Sequence, residues 1–103
     1  MKKDKTILDF LVRLRSNSDF DFLGVVDHWE ADLCAIGLSH GSKLAYISTY
    51  NFIDDNTVKY DYDFEMNGVF EDDKINVVKS GRGVAEAVLM DELKLFFLQP
   101  RMV

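Results

Sequence analysis

The 103-residue sequence predicts an α+β fold, an antiparallel meander of four to five strands with an N-terminal and a C-terminal helix packed on one face. Three observations carry that expectation. Residues 4–17 repeat apolar side chains at helical spacing, residues 57–66 alternate strictly between apolar and polar, and residues 84–98 return to an apolar-rich helical run. Between the first two lie short β-prone segments divided by turn residues, the pattern of a meander.

The first helix, DKTILDFLVRLRSN, spaces Ile7, Leu8, Leu11 and Leu14 on one face, and Phe10 widens the stripe. Asp4 near its start and Arg13 and Arg15 near its end match the helix dipole, and Ser16-Asn17-Ser18 breaks the pattern. In DFDFLGVV, residues 19–26, Phe20, Phe22 and Gly24 alternate with Asp19, Asp21 and Leu23, which predicts a short strand or an extended approach to the sheet. Asp27 to Glu30 is a polar, aromatic break read as a loop or bulge. The apolar run LCAIGL at 33–38 suits a strand. Ser39-His40-Gly41-Ser42 is turn chemistry, with Gly41 free to take positive φ. Lys43 to Phe52 then reads as the second arm of a hairpin, closed by Asp54-Asp55-Asn56.

The next strand is the clearest. Val58, Tyr60, Tyr62, Phe64 and Met66 fall on one face, and Thr57, Lys59, Asp61, Asp63 and Glu65 on the other. One face therefore belongs on a core and one in water. Asn67-Gly68 ends it. Val69-Phe70, an acidic turn of Glu71, Asp72 and Asp73, and Ile75 to Lys79 supply the last sheet material. Ser80-Gly81-Arg82-Gly83 reads as a flexible joint leading into a helix from Val84 to Leu98. Its main stripe is Ala85, Leu89, Leu93 and Phe96, with Val88 and Phe97 at the edges. Met90, Leu95 and Leu98 lie away from that stripe, so this helix either sits deep or meets a partner. Gln99-Pro100 stops it.

The length allows one domain, 1–103, and an apolar fraction of 48% makes a core without staples plausible. The single cysteine, Cys34, excludes an intramolecular disulfide and fits a reducing compartment; flanked by Leu33 and Ala35, it reads as a buried, inert thiol. Lys2, Lys3 and Lys5 are followed by ILDFLVRLR, which has neither an h-region nor a small-residue cleavage site. No apolar run approaches the length of a membrane span, so a cytoplasmic protein with no membrane partner is expected. A net charge of −6 argues against direct contact with nucleic acid and suits a basic protein partner.

Candidate chemical sites fail on spacing. Asp27, His28, Glu30, Asp32 and His40 lack the close His/Cys spacing of a zinc site. Asp54-x-Asn56 with Glu65 lacks the obligatory glycine of a calcium loop, where Lys59 stands instead. Cys34 and His40 lie at opposite ends of a strand–turn junction, which holds a nucleophile and its base apart. Ser80-Gly81-Arg82-Gly83 lacks the Gly-Lys-Ser/Thr ending of a phosphate loop. No catalytic, cofactor or metal residues are therefore expected; a small enzyme using His28 or His40 is the least favoured reading.

What remains is charge. Asp61, Asp63 and Glu65, with Glu71, Asp72 and Asp73 nearby, form an acidic stripe; it is either a solvated or aggregation-blocking sheet surface or an electrostatic landing site. Trp29, Tyr46 and Tyr50 are candidate aromatic anchors, and Glu30 adds to the acidic side. If Tyr46 and Tyr50 face the helices, they are core.

The text from Trp29 to Tyr50, WEADLCAIGL, a short turn, then LAYISTY, resembles small bacterial immunity proteins of polymorphic toxin systems, those paired with contact-dependent growth-inhibition toxins. The likeness rests on the acidic-aromatic lead-in of Asp27, Trp29 and Glu30, the DLCAIGL strand at 32–38 and the YIST strand at 46–49, about a quarter of the chain. It implies a cytosolic protein that inhibits by binding a cognate toxin domain, often a nuclease with a basic active-site surround. It transfers no contact residue, so the expected partner-binding set, Asp61, Asp63, Glu65, Glu71, Asp72, Asp73, Trp29 and Glu30, is an inference from charge and exposure. The alternative is a small interaction or weakly self-associating module that uses the second helix or a sheet edge.

Overall fold

A computed structural model describes residues 2–27, 31–52, 57–67 and 75–98. The elements in chain order are helix α1 (Lys5–Arg15), a 3-10 turn (Ser18–Phe20), strands β1 (Gly24–Val26), β2 (Ala35–His40) and β3 (Lys43–Ser48), a second 3-10 turn (Tyr50–Phe52), strands β4 (Tyr60–Asn67) and β5 (Ile75–Val84), and helix α2 (Glu86–Leu98). The five strands form one antiparallel sheet in the order β1-β2-β3-β4-β5. This is the α+β meander that the sequence predicts, with both helices packed on the same face.

Asp4 starts α1, its carboxylate accepting from the Thr6 backbone N–H at 2.9 Å, and Ile7, Phe10 and Leu14 are buried. Leu8 is exposed, so the buried stripe centres on Phe10 and not on the Leu8 side. The segment after α1 joins the sheet as the expected short strand only at Gly24–Val26, and what precedes it is not strand. Phe20 and Leu23, three residues apart, are both buried, whereas Phe22 is exposed. A tight 3-10 turn started by Asn17 sets that spacing, which displaces the expected alternation of Phe20 with Phe22.

The β2–β3 hairpin closes through Gly41-Ser42, with Gly41 at φ 61° and His40 paired with Lys43. In β4, Tyr60, Tyr62 and Phe64 enter the core alongside Ile36, Leu38, Ala45 and Ile47. Leu89, Leu93 and Phe97 of α2, at i, i+4 and i+8, close the core; Met90 and Phe96 flank them, while Ala85, Val88, Leu95 and Leu98 are exposed. The helix is therefore rotated from the expected stripe toward Phe97, whose ring meets Phe22 edge-on.

The main departure is β5. It does not stop at Lys79 but continues through Ser80-Gly81-Arg82-Gly83 to Val84. Two register shifts against β4 absorb extra residues, one opposite Asp61 and one between Phe64 and Glu65. Gly81 has to be glycine, because a Cβ there would lie 2.2 Å from Cε2 of Tyr62. Gly83 takes φ 62° at the first shift. The expected turns and stops at Asp54-Asp55-Asn56, Gly68, Val69-Phe70, the acidic turn and Gln99-Pro100 lie outside the described residues. Among the described residues, no helix is long and apolar enough to cross a membrane.

Candidate functional site

Strand alternation gives the sheet two faces, and both helices pack on one of them. The other face reads, across β2, β3 and β4, as three rows: Ala35, Ser48 and Asp61; Gly37, Tyr46 and Asp63; Ser39, Leu44 and Glu65. Toward β2 it is closed, with Ala35 and Gly37 buried. Toward β4 it opens into a polar hollow of about 340 Å³ that includes Tyr46, Ser48, Tyr50 and Asn51. Three carboxylates, Asp32, Asp61 and Asp63, share that hollow with one guanidinium, Arg82. Tyr46 and Tyr50 thus do not face the helices. Tyr46 stands half-buried in the middle row, and Tyr50 is 65% exposed at the rim.

The three acidic residues of β4 differ in what they do. Asp61 is expected in water but is only 8% exposed. Its Oδ1 accepts the Gly83 N–H at 2.9 Å and its Oδ2 accepts from Asn51 Nδ2 at 2.7 Å. The bulge in β5 explains this, since it takes Gly83 out of the regular ladder and leaves its N–H for a side chain to satisfy. Asp63 accepts from Ser80 Oγ at 2.7 Å and from Arg82 Nη2 at 3.0 Å, both on Oδ1. Arg82 is itself tied down, donating through Nη1 to the carbonyls of Tyr62 and Gly81. Glu65 has no hydrogen-bonding or ionic partner among the described residues, and burial together with the Asp63 charge pushes its carboxyl pKa up.

Asp32 enters from the β1–β2 connection, and a set of N-terminal contacts positions it. The Lys3 side chain is fully buried; its Nζ lies 2.6 Å from Asp27 Oδ1 and donates to the Asp32 carbonyl at 2.8 Å. The Asp4 N–H donates to the Leu33 carbonyl, and the Thr6 and Thr49 hydroxyls meet at 2.7 Å. Asp32 Oδ1 accepts the Cys34 N–H at 3.0 Å, so this carboxylate shapes its own turn. Burial raises the pKa of the Tyr46 phenol; a hydroxyl contact from Ser48 opposes the rise, and the charges of Asp32, Asp63 and Asp61 add to it. The phenol is thereby held protonated in a negative field.

Beside this hollow lies a second one of about 540 Å³, lined by Ala31, Leu33 and Cys34 and sharing Asp32 and Tyr50 with the first. Its lining is mainly apolar, and Leu33 is 45% exposed. Cys34 is buried next to Thr49, and burial raises its pKa, so it stays a thiol. His40 ends β2 against the Phe22 ring, and Cys34 immediately precedes the same strand, so the full length of β2 separates the candidate nucleophile from its base. Among the described residues, no three His, Cys, Asp or Glu side chains converge as a metal-holding group.

No family model, curated protein or solved structure matches the chain. The site is therefore argued from its own geometry. Of the eight partner-binding residues expected from the sequence, Asp61, Asp63 and Glu65 share the helix-free face, with Asp61 spent on structure. Trp29, Glu30, Glu71, Asp72 and Asp73 lie outside the described residues. Sequence reasoning missed Asp32, Asn51, Ser48 and Arg82 as neighbours of the stripe. The available signal for Arg82 was the pair of glycines around it in a β-prone run, which marks a bulge as readily as a joint.

Proposed function

We propose that the protein acts by binding and not by catalysis: it is an immunity protein that neutralises a cognate toxin domain, laying an acidic sheet face over the basic active-site surround of a nuclease. The observation that carries this reading is the polar hollow on the helix-free face, where Asp32, Asp61 and Asp63 outnumber Arg82 and two tyrosines supply contact area. Such a surface favours a cationic protein partner through electrostatic steering and complementarity, while tyrosine gives contact area at small entropic cost. Asp63, Glu65 and Asp32 are its landing charges. The acidic run Glu71-Asp72-Asp73, with Trp29 and Glu30, extends the same reading on charge and composition.

The decisive experiment is co-expression with the toxin domain encoded immediately upstream. Rescue of growth and co-purification of a one-to-one complex are the expected results. A toxin domain that neither binds the protein nor is silenced by it ends this reading.

A second reading rests on a different observation. Val88, Leu95 and Leu98 on the outer side of α2 are exposed, as are Val77 and Val78 on the edge strand β5. A module that self-associates through this side would show a mass that rises with concentration in sedimentation. Met90 no longer supports it, because that side chain packs against the core.

A further inference from the structure

The two hollows share Asp32 and Tyr50, and the pairing of their chemistries is more specific than an acidic surface. One side is apolar, walled by Ala31 and Leu33; the other is polar and negative, backed by Tyr46 and Asp63. Each volume exceeds the roughly 300 Å³ at which ligand pockets begin.

The acceptors of the polar side are only half used. Asp32 spends Oδ1 on the Cys34 N–H and Asp63 spends Oδ1 on Ser80 and Arg82, while the second oxygen of each takes no donor among the described residues. Arg82 reaches Asp63 through a single Nη2–Oδ1 contact at 3.0 Å, which leaves Oδ2 of that carboxylate as an acceptor. Arg82 lines the hollow as part of its wall, with Nη1 anchored on two backbone carbonyls. The exposed Tyr50 ring stands at the boundary between the two hollows and offers a face for stacking. A guanidinium suits this arrangement better than an ammonium, since it bridges separated acceptors and stacks on a phenol ring.

We infer that the joined hollows receive from the protein partner an arginine next to a large apolar residue. The guanidinium lies between Asp32 and Asp63 against Tyr50, and the apolar side chain lies on Leu33 and Ala31. This rests on the proposed binding function and names what that face recognises.

The test titrates the isotopically labelled protein with the capped dipeptide Ac-Phe-Arg-NH2 and follows backbone amide shifts. The expected result is saturable, millimolar binding confined to residues 31–34, 46–51 and 61–63. Replacing arginine by its neutral isostere citrulline weakens binding about tenfold, and Ac-Gly-Arg-NH2 binds about tenfold more weakly than the phenylalanine peptide. Asp32→Asn keeps an acceptor for the Cys34 N–H while removing the charge, and it lowers affinity with the spectrum elsewhere unchanged; Tyr50→Ala does the same. Equal binding of the citrulline peptide, equal binding of Ac-Phe-Lys-NH2, or shifts that neither saturate nor localise would overturn the assignment.

Failure here is distinguishable from failure of the immunity reading. A protein that binds the dipeptide but no toxin domain keeps the site and loses the function. A protein that neutralises its toxin equally well with Asp32→Asn and Tyr50→Ala keeps the function and places the contact elsewhere.

Discussion

The hydroxyl of Tyr60 donates a 2.6 Å hydrogen bond to Oε1 of Glu86, joining the middle of the core to the first turn of α2. Arg13 of α1 grips the same carboxylate through Nε and Nη2, at 2.7 to 3.0 Å. One carboxylate thus ties together the two helices and the strand beneath them. Burial opposes ionisation of Glu86, but the Arg13 and Tyr60 hydrogen bonds outweigh it and lower the pKa. The same burial, with Glu86 nearby, raises the Tyr60 phenol to about 12.

Two pH limbs follow. Glu86 has a depressed folded pKa, so its contribution is complete above the ordinary carboxylate value of about 4.3 and is lost as pH falls through the folded value. Tyr60 has a raised one, so its contribution is complete below about 10 and disappears as pH rises through about 12. Glu86→Gln should cost about 1–2 kcal/mol at pH 7, allowing for solvent screening of the half-exposed Arg13. Urea unfolding at pH 7 and pH 3 checks it: the gap between wild type and variant narrows at the lower pH. Tyr60→Phe should abolish the latest-titrating tyrosinate signal in an ultraviolet titration.

Asp61 and Glu65 stand two positions from each other's neighbour Asp63, yet they should respond oppositely to removal. Asp61→Ala strands the Gly83 N–H and the Asn51 amide and should cost about 1–3 kcal/mol. Glu65→Gln relieves a half-buried charge beside Asp63 and should stabilise by roughly a few tenths of a kcal/mol at pH 7. Because its folded pKa is raised, the Glu65 carboxylate opposes folding at neutral pH, and that opposition fades as pH falls through the folded value. Equal losses in chemical denaturation would contradict the division of roles.

The glycines of β5 are conformational requirements and not signs of slackness. Gly81→Ala drives a methyl into the Tyr62 ring and should cost about 1–3 kcal/mol. Gly83→Ala places a side chain at φ 62° and should cost about 1–2 kcal/mol. Thermal melts of both variants, beside Gly41→Asn as a tolerated left-handed position, measure the difference.

Charge reversal tests steering, and its salt dependence separates that effect from loss of the Asp63 contacts to Ser80 and Arg82. Asp63→Lys with Glu65→Lys should slow association with a basic toxin domain by about tenfold or more at low ionic strength, and the difference should shrink with added salt. Stopped-flow association across a salt series reads this directly, and salt-independent, unchanged rates would show that the face does not steer the encounter.

The fold was legible because its signals are periodic. Alternation from Tyr60 to Phe64 assigns β4, its inward face and the antiparallel class, although Met66 at the strand's end is exposed and not in the core, while Gly41 places the hairpin turn. What the sequence concealed was set by tertiary contacts. Asp61 looks like any other outward carboxylate until β5 bulges opposite it. Lys3 looks like a surface lysine until Asp27 and the Asp32 carbonyl meet it in the interior. Phe22 and Phe97 could be assigned only once the 3-10 turn had set the direction of the chain. The site followed the same pattern: the acidic row was readable from spacing, but its partners Asp32 and Arg82 come from a loop and a bulge, where periodicity is silent.

The alternation that divides the sheet into two faces also divides the positions by how freely they can change. In β3 and β4, Ala45, Ile47, Tyr60, Tyr62 and Phe64 are committed to the core. Leu44, Tyr46, Asp63 and Glu65 lie between them in sequence but on the other face. A lineage facing a changing partner could rewrite Leu44, Tyr46 and Glu65 without repacking its interior, keeping the buried Ser48 and Asp61, which accept backbone N–H groups of Tyr50 and Gly83. Under the proposed function, recognition and folding would thus be written in alternate letters of the same strands, meeting at Asp61 and Asp63, which bond to β5.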